Sequence, residues 1–279
     1  MRRILVLSLL LSSSLSSIAG GPWIREFRKG FVQVGYSGLY YNAVFNPLGT
    51  EKDVYRDISD HTYQVYAEYG LGKKFELRAV IPFKAISIGP SSNTQANPVP
   101  AGSLNGIGNI GLGLKRGILD GDVKLSVGVD VLANTFANND QLGLRTGFEG
   151  WTVLPYLSIG SGTKRTYFYA EAGYGFMTRN YSNFVKLGGE AGVKVLPRLW
   201  VAGTVDFRLP QKNGPFFNTD AYQNTATYLN NQQYLGLGIK AALDLVPDRV
   251  GLSASVIGAL AGENVPFSRS YNAGIYFKW

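Results

Sequence analysis

The stretch SRSYNAGIYFKW, residues 268–279, decides the fold. Tyr271, Ala273, Ile275, Phe277 and Trp279 recur at every second position. Ser270, Asn272, Gly274 and Lys278 fill the places between, with Tyr276 the exception. Period two is the alternation of a strand whose faces meet different surroundings. The apolar face closes on Trp279, and Trp and Tyr favour the boundary between hydrocarbon and water. Tyr271, Ile275, Phe277 and Trp279 are therefore expected on the lipid side of a membrane-spanning strand, touching outer-membrane lipid.

Working back from this stretch, the same rhythm predicts strands at 31–41, 61–69, 75–86, 106–118, 123–131, 151–161, 168–176, 185–195, 201–209, 235–243 and 252–260. With the last stretch that makes twelve. The strand at 151–161 reads least clearly, because Leu154 and Tyr156 compete with Val153, Leu157 and Ile159 for the apolar face. Tight turns fall at 70–74, 120–121, 162–165, 197–198 and 247–248, whereas 42–60, 87–104, 134–149 and 210–230 read as long polar loops. Shorter outer loops follow at 177–183 and 262–267, and residues 20–29 read as a short periplasmic lead. Short turns on one side and long loops on the other are the asymmetry of outer-membrane barrels. Strands of this length match a tilted crossing of the hydrocarbon layer. In lipid the sheet has to close, because an open edge would leave backbone groups unsatisfied. The expectation is an all-β protein: a transmembrane antiparallel up-and-down barrel of about 12 strands.

Residues 1–19 place Arg2 and Arg3 before the apolar run ILVLSLLL and end on Ser17-Ile18-Ala19. That is the pattern of a secretory signal peptide cut before Gly20, with an apolar core too short for a transmembrane helix. The domain reading is thus a signal peptide at 1–19 and one outer-membrane barrel at 20–279. Cysteine is absent, which removes disulfides, thiol chemistry and Cys-based metal sites. Losing Arg2 and Arg3 lowers the formal charge from +8 to +6, and the excess is scattered. Without a basic run or an aromatic-basic module, nucleic acid is not an expected partner.

If the apolar face meets lipid, the other face lines the interior. Glu68, Glu76, Arg78, Lys84, Lys115, Lys124, Asp130, Glu171, Lys186, Glu190, Lys194, Asp206, Arg208, Lys240 and Asp244 are the candidate lumen residues. Both signs are spread over most strands, so these groups must pair or stay hydrated. One reading is a lattice of ion pairs that holds the wall; the other is a selectivity lining for a solute.

Other chemistry finds little support. His61 is the only histidine, so a multi-His metal site is excluded. A lipid-hydrolysing barrel using His61 would need a serine or an acid beside it, and no motif marks one. The run from Gly106 to Gly111 matches GxGxxG but sits in a strand with no helix after it, so no nucleotide is expected. No cofactor and no metal are predicted.

An alternating final strand closing on an aromatic resembles the C-terminal signature of bacterial outer-membrane barrels, which implies recognition by their assembly machinery. Two further segments, YAEYGLGKKFELRAVIPF at 66–83 and GIGNIGLGLKRGIL at 106–119, resemble the hairpin motif of the phenol-degradation (MetA-pathway) outer-membrane family. Asn109 stands where that family carries Asp. The likeness covers the first half of the barrel and implies a passive route for small hydrophobic or aromatic compounds across the outer membrane. It identifies no binding residue. A barrel enzyme acting on lipid and a non-conducting structural or adhesion barrel remain as alternatives.

Overall fold

The structure, a computed structural model, describes residues 20–96 and 98–279. The expected signal peptide at 1–19 lies outside the described residues. The strands are β1 Gly30–Phe45, β2 Glu51–Gly72, β3 Phe75–Ile88, β4 Gly102–Ile107, β5 Gly111–Asp120, β6 Val123–Leu132, β7 Asn138–Asn139 and β8 Leu144–Arg145. They continue with β9 Thr152–Gly162, β10 Thr166–Met177, β11 Phe184–Leu196, β12 Leu199–Pro210, β13 Gln233–Val246, β14 Val250–Glu263, β15 Val265–Pro266 and β16 Arg269–Lys278. One short helix, α1 Asp220–Gln223, lies between β12 and β13.

Twelve strands, counting the interrupted β4 and β5 as one, form a closed antiparallel barrel. Closure falls on the C-terminal stretch, residues 268–279. β16 pairs with β14 on one side and with β1 on the other, and β1 pairs in turn with β2. Trp279 bonds backbone to backbone with Gly30 in both directions, and its ring covers Gly30 so closely that a Cβ there would lie 2.1 Å from it. Only glycine leaves room for that ring.

The alternation is used as an outer-membrane barrel requires. Val34, Val65, Leu77, Ile81, Leu112, Val127, Leu157, Val205, Leu237 and Ile275 are exposed on the outside, while Glu68, Glu76, Lys115 and Glu190 are buried inside. Tyr271, Phe277 and Trp279 are likewise exposed. The ambiguity in β9 is resolved by Tyr156, which turns inward to donate no apolar surface to lipid but to meet the Arg78 side chain.

Two features depart from the sequence reading. The first concerns residues 42–60, read as a long loop. Here β1 and β2 run on as a hairpin and leave only 46–50 to turn, with Asn46 Oδ1 accepting from the amides of Leu48 and Thr50. β2 is 22 residues long, whereas about 9–11 tilted residues cross a membrane, so roughly half of it projects beyond the lipid. On the projecting half the inward face changes character. Val54, Ile58, Ile86 and Ile88 replace the charges below and pack with Leu142, Leu144, Tyr222 and Leu229 from the loops into an apolar cluster. The Tyr41 hydroxyl ties the cluster together by donating to the Thr225 carbonyl at 2.7 Å.

The second departure lies between β4 and β5. β4 pairs only with the outer end of β3, and residues 108–110 leave the ladder before β5 resumes at Val80↔Gly111. Across the break β4 faces the 133–148 segment, with its short β7–β8 pair, rather than a strand of the barrel wall. Asn109 closes this seam. Its amide nitrogen donates to the carbonyls of Ala133 and Phe148, both at 2.8 Å, and its oxygen accepts from the Phe148 amide at 2.7 Å.

Candidate functional site

The barrel encloses a chamber of about 900 Å³. Its floor is the segment ahead of β1. Residues 20–25 enter the lumen from the end of the short turns and are held by charged groups of the wall. Arg25 pairs with Glu68 at 2.8 Å, and its backbone amide donates to Glu76 at 2.7 Å. Lys115 pairs with Glu76 at 2.8 Å and donates to the carbonyls of Gly21 and Trp23 at 3.1 and 2.8 Å. Gly20 donates its backbone nitrogen to Glu68 at 3.1 Å. Trp23 meets Tyr167 and Tyr169 edge to face. Glu68, Glu76 and Lys115 are at most 2% exposed, so each charge here is compensated within the wall and floor rather than by bulk water. Below the floor a second cavity of about 700 Å³ opens, lined in part by Lys124, Lys278 and Trp279.

The roof is aromatic. Phe148 lies edge-on to Tyr181 and Tyr228 at centroid distances of 5.5 and 5.1 Å, and Tyr181 stacks on Phe216 at 4.2 Å. Cations fasten it from the side. Arg145 pairs with Glu149 at 3.1 Å and lies over the Tyr222 ring at 3.5 Å, while Lys84 lies under Tyr228. In these outer loops the Tyr222 hydroxyl donates to Asp140 and holds its carboxyl below the ordinary carboxylate range. Burial in turn pushes the Tyr222 hydroxyl up.

Between floor and roof the wall is divided. One arc is uncharged and polar, with Gln33, Ser37, Gln64, Ser253, Ser255 and Asn272 facing the chamber. The other arc carries the charges. Of the residues expected to face the lumen, Arg78, Lys84, Glu171, Lys186, Glu190, Asp206, Arg208 and Lys240 border the chamber. Glu68, Glu76 and Lys115 hold the floor, and Asp130 sits 3.6 Å from Arg78. Lys124 pairs with Asp120 at the lower turn. Lys194 lies over Trp200 and borders neither cavity. Asp244 accepts from Tyr276 at 2.8 Å near the periplasmic rim. Ion pairs run between strands rather than along them: Lys240 reaches Glu190 at 3.1 Å and Lys84 reaches Asp60 at 2.9 Å.

Two sets of residues escaped the sequence reading. The floor reads in the sequence as part of a short periplasmic lead, and Trp23 is the residue in it whose size speaks against a solvated segment. The alternation sets Tyr66 and Tyr167 on the polar face and marks Tyr276 as an exception, but assigns none of their hydroxyls a partner. Tyr66, Tyr167 and Tyr276 each donate to a lumen carboxylate, Glu68, Glu190 and Asp244 respectively, so their hydroxyls serve the polar face. His61 lies on the outward face of β2, stacked on Tyr36 and bonded to its hydroxyl at 2.8 Å. Tyr40 and Tyr63 complete an aromatic girdle around that pair, which places no serine hydroxyl against the imidazole.

No family model matches the chain, and no curated protein matches it. Among solved structures it is similar to the COG4313 outer membrane channel from Pseudomonas putida F1, at a TM-score of 0.67 and 12% identity over 94% of this chain and 100% of that one. The chain has the fold of an outer-membrane β-barrel. The NanC porin is similar at a TM-score of 0.52 and 12% identity, covering 90% of this chain and 100% of its own. The KdgM porin follows at 0.51 and 7%, with 88% and 99% covered. At such identities the likeness is one of architecture.

Proposed function

We propose that the chain is an outer-membrane channel through which small molecules pass by diffusion. The observation that carries this reading is the polar chamber inside a closed barrel, bounded by parts that are held without covalent bonds. A wall lattice alone would fill the interior with paired side chains. Here about 900 Å³ is left free beside Lys186, Glu171 and the uncharged arc. The floor is a single short segment held to Glu68, Glu76 and Lys115 by noncovalent contacts, so exchange of those contacts for water would open the chamber toward that end. The outer membrane is the place where such a barrel is stable, given its outward apolar belt. The similar solved structures named as channels and porins agree with this assignment.

The phenol-degradation resemblance remains part of the proposal at the level of family, resting on the segments 66–83 and 106–119. The lining is mixed: charged, hydroxylic and amidic groups stand among Leu39, Val80, Leu132, Phe148 and Phe184, so apolar surface is also present for the hydrophobic cargo it implies. The side-chain contacts of His61 among the described residues are to tyrosine rings and a tyrosine hydroxyl, not to a serine, which favours the channel over a lipid hydrolase. Single-channel recording of the refolded 20–279 chain in a planar bilayer tests the reading. Steady conductance, with ion selectivity moved toward anions by Glu190→Gln, is the expected result. A silent bilayer with folded protein, judged by heat-dependent gel mobility, would instead mean a closed structural barrel.

A further inference from the structure

One arc of the chamber holds four charges that satisfy one another poorly. Lys186 on β11 and Arg208 on β12 stand directly opposite in the ladder, so two cations share one level of the wall. Like charges directly opposite in a sheet repel. Among the described residues, neither cation has a carboxylate within 4 Å, and Lys186 has no hydrogen bond. Arg208 rests on the Phe184 ring at 3.6 Å, reaches only the Met177 sulfur at 3.5 Å, and keeps its Nε buried and unbonded.

One level nearer the floor the signs reverse. Glu171 and Asp206 flank Gly188, which pairs with both across the ladders. Glu171 has no hydrogen-bond partner among the described residues; Asp206 accepts only a 3.3 Å bond from Tyr234, and its Oδ1 is buried and unbonded. Gly188 leaves the space between the two acids open, since a Cβ there would meet nothing nearer than 3.6 Å. The result is a tier of two cations above a tier of two anions, about 7 Å apart at two residues of strand rise, all four facing the chamber.

We infer that this arc is a binding subsite for a small zwitterion, whose carboxylate lies between Lys186 and Arg208 and whose ammonium lies between Glu171 and Asp206 over Gly188. The inference rests on the channel reading and gives it a solute class. A simple anion would meet the repulsion of the lower tier, and a simple cation that of the upper. A molecule carrying both charges at the right separation answers both tiers and adds no net charge to the chamber. Its uncharged body faces the hydroxyl and amide groups of the opposite arc.

Equilibrium calorimetry on the refolded 20–279 chain in detergent tests this with three probes of one size: γ-aminobutyrate, butyrate and butylammonium. Saturable binding of γ-aminobutyrate is expected, with butyrate and butylammonium each weaker by about tenfold or more, the scale of one lost charge-assisted hydrogen bond. Lys186→Gln should weaken γ-aminobutyrate by about the same factor, while butylammonium, relieved of one repelling cation, binds no more weakly than before. Glu171→Gln should weaken γ-aminobutyrate while butyrate, relieved of one repelling carboxylate, binds no more weakly than before, and this variant serves if the first does not fold. Equal binding of all three probes, no saturable binding, or unaltered γ-aminobutyrate binding in both variants overturns the inference. Conductance measured on the same preparations separates the two readings. A conducting barrel without the selectivity loses the subsite alone, and a silent barrel that still prefers γ-aminobutyrate loses the channel.

Discussion

Asn109 shows how much a single side chain decides in a barrel wall. Its amide joins three backbone groups of the 133–148 loop to the seam where β4 gives way to β5, and a carboxylate in its place could not donate. Asn109→Asp would set a negative charge against the carbonyls of Ala133 and Phe148. Such a variant should unfold at lower urea concentration, by about 1–3 kcal/mol for the polar groups left unsatisfied. Unfolding followed by tryptophan fluorescence in detergent would measure it, and an unchanged midpoint would mean the loop closes the seam without Asn109. Gly30 is a second such position. A methyl group there would collide with the Trp279 ring, so Gly30→Ala should slow barrel closure and lower the fraction that migrates as folded protein on unheated gels.

At the scale of elements, the floor and the outer loops behave differently because different forces hold them. The floor is fixed by charge. Arg25→Ala removes the guanidinium from Glu68 without altering the wall, and a raised mean conductance is expected, read in the same planar bilayer as the parent chain. No change would mean that Lys115 and Glu76 suffice to keep the floor seated. The loops are fixed mainly by the apolar cluster around Ile58, Ile86 and Tyr222, with the Asp140–Tyr222 bond added at its edge. Because that bond lowers the Asp140 carboxyl below its ordinary value, its stabilisation is fully present above the ordinary value and is lost as pH falls through the depressed one. Loop proteolysis should therefore quicken in acid, and Asp140→Asn should flatten that pH dependence.

For the whole molecule, the decisive property is that polar and apolar surfaces have exchanged places relative to a soluble protein. Lipid replaces the core as the apolar medium, and in the interior some charges pair, as Lys240 with Glu190, while others face the chamber with no ion pair within 4 Å among the described residues, as Lys186 and Glu171 do. The barrel and its contents are also separable. Closure depends on β16 meeting β1, whereas the chamber depends on residues 20–25 and on the loops that fold inward.

The sequence by itself determined the wall. A two-residue period is a local property, legible in Tyr271, Ile275 and Phe277 without any knowledge of their neighbours, and a membrane admits only a closed sheet built on it. The same local parity already carried the upper cluster, since Val54 and Ile58 fall on the inward face with Thr62 and Glu68; Pro47, Gly49 and the mixed charges around them obscured it. What only the tertiary structure decided is which charges meet. Glu76 finds Lys115, Glu190 finds Lys240 and Lys186 finds no carboxylate, because pairing is set by strand register and by a lead segment that threads back into the lumen. Partners 39 to 50 residues apart come together through closure, a nonlocal event that no periodicity along the chain encodes.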